Sequence, residues 1–362
     1  MNILFAMERR VDAGSIHALV NYARAGRKLG HRIVLYGNPD PNFPEVPFST
    51  DLAGIDFVVF VFESRLGWIS GLHLAYLLTA IPRSRRVVFD ADGMYNPLLL
   101  HENYDRNHGS ERERQGWLAA YEALADRVFQ PSLRPQRRGV SPLPFYGYDA
   151  RAVVAEGLAK RVDIMHLGHN WWRWREVGER LLPALEQVRD RFGDICFVGL
   201  WWDAPPAWAA QIGQQDAFCV DPDRLRALRV RTLPAVPYRD VVATMSTARI
   251  NIMTQRPLFR RLRLLTSKYF EVFQADTIPL VMLEREHAAE VYGSAGRELA
   301  LCDDIAGKLR DVAERPGAYR ECAAAVREHL AAHHSYERRV EELVGSLAGD
   351  LPAAPAGEPT CA

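Results

Sequence analysis

Four short segments of this 362-residue chain combine residue types that hold phosphate or move a proton. In Asp12-Ala13-Gly14-Ser15 a glycine lets the backbone approach a ligand closely, and the start of a helix behind it favours negative charge. No G-x-G-x-x-G accompanies it, which speaks against a bound NAD or FAD. Between Asn251 and Met282, Arg256, Arg260, Arg261 and Arg263 stand ahead of an expected helix start at Thr266-Ser267. Guanidinium groups together with unpaired helix N–H groups make a site for a diphosphate. Lys268 falls in the first helical turn, where a cation is unfavourable unless an anion lies nearby. Glu271, one turn on, is placed to accept two hydrogen bonds from a ribose diol. The plain alternative is an exposed basic loop before an ordinary helix.

The segment Gly168-His169-Asn170-Trp171-Trp172-Arg173-Trp174-Arg175 offers Asn170 and Arg173 to a phosphate, while its three tryptophans read as packing before they read as a sugar platform. Asp90-Ala91-Asp92 is a D-x-D, a pattern too common by chance to be assigned a metal. Asp92 equally suits a general base or an acceptor contact.

The elements around these segments alternate. Residues 2–7 are a short apolar run. From Ser15 the residues Ile16, Leu19, Val20 and Ala23 keep helical spacing, Gly30 closes the helix, and Ile33 to Tyr36 form a second strand. Asp56–Phe62 is a continuous apolar run, as expected of a parallel strand covered on both faces. Helices are expected over 69–80 and 111–126, and strands at 87–89 and 127–129. A Pro-, Gly- and Arg-rich stretch from Pro131 to Asp149 reads as the interdomain connection. A second series follows, with strands at 163–167, 195–199, 249–253 and 277–282 and helices at 175–192, 266–275, 304–332 and 335–348. Strand–helix alternation in both halves predicts an α/β chain of two Rossmann-like, doubly wound parallel sheets facing a cleft. The expected division is 1–150, 151–334, a C-terminal helix over 335–350 that crosses back, and a disordered tail over 351–362. Ligands of such sheets sit beyond the carboxyl ends of the strands, where these four segments lie.

Composition narrows the classes. Lys plus Arg equals Asp plus Glu, so the whole-molecule field makes no case for a polyanionic partner, and nucleic acid is not expected. Cys196, Cys219, Cys302, Cys322 and Cys361 form no C-x-x-C pair, which fits reduced thiols and a cytoplasmic setting. No apolar run approaches the roughly 20 residues of a membrane helix. A homodimer is left open.

The segment A-G-S-I-H-A-L-V-N-Y-A-R-A-G-R-K-L-G-H (13–31) resembles the opening of GT-B glycosyltransferases. The later R-T-L-P-A-V-P-Y-R-D-V, S-K-Y-F-E-V-F-Q-A-D-T-I-P-L-V and H-S-Y-E-R-R-V-E-E-L resemble the C-terminal half of family-4-like and spore-maturation-type (CgeB-like) transferases. The resemblance implies Gly14 in the diphosphate-facing loop, Tyr238 near the nucleobase and Glu271 on the ribose, with Lys268 at a basic position of the same helix. It departs where the relatives carry a second Glu eight residues before Glu271, since Arg263 stands there, and where Ala-Cys-Gly becomes Gln274-Ala275-Asp276.

The expected reaction is transfer of a glycosyl group from a nucleoside-diphosphate sugar, a UDP-sugar first, to a small-molecule or glycan acceptor, with no cofactor or metal required. Arg263, Lys268 and the helix start at Thr266-Ser267 would stabilise the leaving diphosphate. Asp92, Asp12 and His17 are the candidate bases, and Trp68, Tyr95 and Trp117 the candidate acceptor pocket. The rivals are a sugar-nucleotide epimerase and a catalytically idle nucleotide- or glycan-binding protein on the same scaffold.

Overall fold

The structure is a computed structural model that describes residues 1–10, 13–63, 71–96, 111–211 and 213–349. Seven strands form the N-terminal sheet: β1 (Asn2–Ala6), β2 (Arg32–Tyr36), β3 (Phe48–Ser49), β4 (Phe57–Phe62), β5 (Arg86–Asp90), β6 (Arg127–Gln130) and β7 (Val140–Pro142), in the order β3-β2-β1-β4-β5-β6-β7. Five more form the C-terminal sheet: β8 (Val162–Leu167), β9 (Ile195–Val198), β10 (Val230–Leu233), β11 (Ala248–Met253) and β12 (Ile278–Val281), in the order β10-β9-β8-β11-β12. Every pairing is parallel. The chain winds outward in one direction from β1 and in the other from β4, and likewise from β8 and β11. Each sheet therefore has a switch point, β1/β4 and β8/β11, where loops diverge and leave a crevice.

The run F-V-V-F-V-F of β4 is buried from Val58 onward, because helices cover both faces of the sheet. The chain leaves β7 and reaches the second sheet through 148–161, where the Tyr148 amide donates to the His334 carbonyl at 2.7 Å and the Val154 amide to Gln274 at 2.8 Å. It returns in the helix Tyr336–Ala348, which Ser335 caps by accepting from the Arg338 amide. That helix lies on the helix Gly14–Lys28. Lys28 reaches Glu337 at 3.0 Å, and Arg127 donates to the Ser346 carbonyl at 2.9 Å.

Several elements differ from the expected ones for identifiable reasons. The helix read over 175–192 contains a π-helical segment, Val177–Leu181, just before Pro183, whose ring and missing N–H disturb the preceding turn. The helix read over 304–332 is broken between Glu314 and Pro316. The arginine-rich stretch before Thr266 is not a loop: Pro257 opens a short helix, Pro257–Leu262, and Arg263 then takes a left-handed conformation at φ 52°. No helix among the described residues is long and apolar enough to cross a membrane.

Candidate active site in the cleft between the sheets

Several contacts among the described residues bring the two halves together on the carboxyl side of their strands. Gly14 faces Ser267 so closely that a Cβ there would lie 2.6 Å from the Ser267 hydroxyl. Gly93, at φ 72°, lets the turn after β5 pass against Leu262 and Leu264, and a Cβ there would be 2.7 Å from both. Ser132 bridges Leu264, its hydroxyl donating to the Leu262 carbonyl at 3.1 Å. The chemical groups between these contacts come from both sheets.

On the C-terminal side, Glu271 is buried on the helix Lys268–Gln274. It accepts from Tyr238 Oη at 2.8 Å and from Lys268 Nζ at 2.7 Å. Burial opposes its charge, but Lys268 and the hydrogen bonds from Lys268, Ser267 and Tyr238 overcome that and hold the carboxyl below its ordinary range. Tyr238 stacks flat on His17 of the first helix, with ring centroids 3.9 Å apart. In this geometry the acid expected to face a ribose is held by Tyr238 and Lys268. His17, expected as a candidate base, forms part of the contact between the two halves.

At the β8/β11 switch point stand His166 and Arg173. His166 is 1% exposed; its Nδ1 donates to the Ile252 carbonyl at 2.9 Å, and its buried Nε2 has no hydrogen-bond partner. Burial, with Arg173 and Lys268 nearby, lowers its pKa to about 3, so the ring is neutral and Nε2 is an acceptor. Arg173 donates to the His169 carbonyl at 2.7 Å, while its Nε is sealed from solvent without a partner. Its pKa is pushed down to about 9 by burial and then by Arg256, with no carboxylate among the described residues acting to raise it. Arg256 itself lies over the Trp171 ring at 4.2 Å. Gly168 contributes no side chain here, and a Cβ on it would touch both His166 Nε2 and the Arg173 guanidinium.

On the N-terminal side, Asp92 follows β5 and is partly exposed beside the Gly93 contact. Glu63 follows β4, its side chain 11% exposed, and accepts from Arg10 at 3.2 Å. Burial first, then the charge of Asp92, raises the Glu63 carboxyl against the pull of Arg10. Buried Tyr146 is kept protonated by burial and then by the charges of Glu63, Asp92, Tyr336 and Glu271, so it feels carboxylates from both sheets.

The other expected residues fall elsewhere. Asn170 is fully buried and donates to the Trp201 and Cys219 carbonyls at 3.0 and 2.9 Å, so its amide pins two loops together rather than offering itself to a phosphate. Arg263 turns to Glu284 at 3.1 Å and Arg260 to Glu176, which disperses the four-arginine cluster; Arg256 lies over the Trp171 ring, and its charge acts on Arg173. Ser267 at the helix start provides no side-chain cap; it lies against Gly14 and bonds Glu271. Tyr95 is buried against Tyr121 and bonded to Glu122 at 2.9 Å, which removes it from an acceptor pocket. Asp12 and Trp68 lie outside the described residues, as does the side chain of Trp117 in the helix Glu111–Leu124. Glu63, Arg10, His166 and Tyr146 were not singled out from the sequence. The signal for the first three was their position at or just beyond the carboxyl end of an apolar strand.

Asp90 is a packing residue. Its carboxylate accepts from the Met94 and Tyr95 amides, Tyr121 and Gln130, all within 2.9 Å. Burial nevertheless raises its pKa from 3.8 to about 6 against those bonds. The folded value lies above the unfolded one, so the stabilisation is complete below about pH 4 and lost as pH rises through about 6. Urea unfolding should therefore show the wild type losing up to about 3 kcal/mol relative to Asp90→Asn across that window. A constant difference would remove this titration from the account.

The comparisons with known proteins agree with this architecture. Residues 175–345 match the glycosyl transferase-like family model. Among solved structures, an alpha-glucosyltransferase in complex with UDP-glucose and DNA containing an abasic site superposes at TM-score 0.60 and 12% identity, covering 96% of this chain and 99% of that one. The fold is GT-B. T4 phage BGT with its UDP-glucose substrate gives TM-score 0.59 at 11% identity, with coverage of 96% and 99%. The same phage enzyme with UDP and Mn2+ gives 0.56 at 11%, with the same coverage. No curated protein sequence matches the chain. With its glycosyl transferase-like segment and GT-B fold, the chain is classed as a glycosyltransferase. The narrower resemblance to spore-maturation-type enzymes finds no counterpart in these matches. The exclusion of nucleic acid is overturned, because a protein of this fold is solved with DNA beside UDP-glucose. Zero net charge averages over all faces of a molecule and does not bear on the surface around one cleft.

Proposed function

We propose that this GT-B chain transfers a sugar from a uridine-diphosphate sugar, with UDP-glucose the first donor to test, to an acceptor hydroxyl in the cleft. The observation that carries the proposal is Arg173, a desolvated guanidinium beside Arg256 that an incoming diphosphate would complete. Lys268, whose charge also acts on His166, adds to it, and Glu271 with Tyr238 supplies the polar edge for a ribose. Asp92 is the base: it takes the acceptor proton as the acceptor oxygen bonds to the anomeric carbon and the bond to the β-phosphate oxygen breaks. The negative charge leaves on the nucleoside diphosphate, where Arg173 and Lys268 meet it. Solved relatives of this fold carry the names alpha- and beta-glucosyltransferase, so the anomeric form of the product has to be measured.

The test is thermal stabilisation by UDP, GDP, ADP, TDP and CDP, each with EDTA, Mg2+ and Mn2+. A rise in melting temperature with UDP that grows with ligand excess supports the reading. Among the described residues no group of three His, Cys, Asp or Glu is arranged to hold a metal. The EDTA arm decides whether the basic site suffices. No shift with any nucleotide would discard the donor site and leave an idle glycan-binding protein of the same fold as the alternative. Turnover of UDP-glucose is then followed with small phenols, oligosaccharides and duplex DNA as acceptors, DNA being present because a relative of this fold is solved with it.

A further inference from the structure

The end of β8 carries a buried polar atom that a diphosphate on Arg173 does not satisfy. The pairing of β8 with β11 sets Ile250 beside Ile164 and Asn251 beside Met165. The same register brings the Ile252 carbonyl to His166 Nδ1 at 2.9 Å. Phe197 and Trp202 meet the ring edge-on, with centroids 5.5 and 5.3 Å away, and hold it in place. The residue is 1% exposed, yet Nε2 has no hydrogen-bond partner. That nitrogen borders the hollow over Gly168, where a Cβ would lie 3.5 Å from Nε2 and 3.7 Å from the Arg173 guanidinium carbon. Trp202 Nε1 fixes the floor of the hollow by donating to the Gly168 carbonyl at 2.8 Å. Thr254, which follows β11 and is 4% exposed, has a buried hydroxyl that is likewise unpartnered.

With Nδ1 committed as a donor to Ile252, a neutral ring offers Nε2 only as an acceptor. Arg173 and Lys268 both act on the ring in the direction that keeps it neutral. A phosphate oxygen is itself an acceptor and cannot complete such a nitrogen, whereas a hydroxyl can. We propose, on the reading of Arg173 as the diphosphate site, that His166 Nε2 accepts a hydrogen bond from one hydroxyl of the donor's sugar. His166 is then a specificity-determining residue that reads the glycosyl group next to the diphosphate. A buried acceptor of this kind favours a donor that carries the hydroxyl. It penalises one that lacks it, because the nitrogen is left unpaired away from water.

The experiment is calorimetric titration of the full chain, without acceptor, with UDP, UDP-glucose and UDP-glucose analogues that each lack one sugar hydroxyl. In the wild type one analogue should bind about 10-fold more weakly than UDP-glucose. His166→Phe fills the same space without the nitrogen. It should weaken UDP-glucose by about 10-fold, leave UDP within about twofold, and bind that analogue no worse than UDP-glucose. His166→Asn keeps a donor for the Ile252 carbonyl while removing the far nitrogen, and it serves if His166→Phe does not fold. Wild-type protein that binds every analogue as tightly as UDP-glucose overturns the proposal. So does an analogue that loses as much in the variants as in the wild type, since the hydroxyl would then be read elsewhere. UDP weakened as much as UDP-glucose in both variants also overturns it, because the ring would then meet a phosphate or only support the fold. Failure of UDP itself to bind the wild type strikes the diphosphate reading and this inference with it. UDP binding with no distinction among the analogues strikes this inference alone.

Discussion

Arg173→Met is expected to abolish the UDP-dependent rise in melting temperature while leaving the nucleotide-free protein at least as stable as the wild type. The two effects have one cause. In the free protein Arg173 is half-buried with its Nε sealed from solvent, the His169 carbonyl accepts from it, and burial lowers its pKa. Replacing a buried ion with an apolar side chain of similar length is often neutral or stabilising. In the nucleotide complex the same charge is repaid by a diphosphate, so its removal should weaken UDP by about 100-fold or more. Calorimetric titration of UDP, paired with urea unfolding without ligand, reads both. Retained UDP affinity would move the diphosphate away from the β8/β11 switch point. Lost affinity with lost stability would mean that the side chain only holds up the loop.

Asp92→Asn separates chemistry from binding. Asp92 sits on the N-terminal side of the cleft, on the turn that Gly93 brings against Leu262 and Leu264. The variant should keep the UDP dissociation constant of the wild type and lose about 10²- to 10⁴-fold in kcat with whichever acceptor is turned over. The amide is nearly isosteric but cannot take a proton, so the loss reports proton transfer rather than shape. Wild-type turnover in Asp92→Asn would remove it as the base. The next residue to test would be Asp12, which lies outside the described residues.

The two assays also divide the rival readings. An idle nucleotide-binding protein would show the Arg173 effect and have no turnover for Asp92 to lose. An epimerase would convert the donor without an acceptor. A glycosyltransferase requires both effects and a glycosylated product.

The sequence by itself determined the architecture. Uninterrupted apolar strands such as Phe57–Phe62, alternating with amphipathic helices such as Gly14–Lys28, can bury their surfaces only as parallel sheets covered on both sides, twice over in a chain of this length. It also pointed to the carboxyl ends of the strands, and Glu271, Lys268 and Tyr238, singled out from local spacing and family resemblance, are bonded to one another in the structure. What the tertiary structure decided was which charges remain available for a ligand. Arg260 and Arg263 look equivalent to Arg256 in the sequence, yet Glu176 and Glu284, each more than twenty residues from either or on another element, neutralise them. Arg173 meets Arg256 instead of a carboxylate. Asn170 and Tyr95, polar groups beside promising loops, turned inward because a buried amide or phenol must find partners, and the neighbouring carbonyls and Glu122 supplied them. Glu63 became notable only when β4 was laid beside β5. A charge has a meaning set by what lies within a few ångströms of it, and those neighbours come from distant parts of the chain.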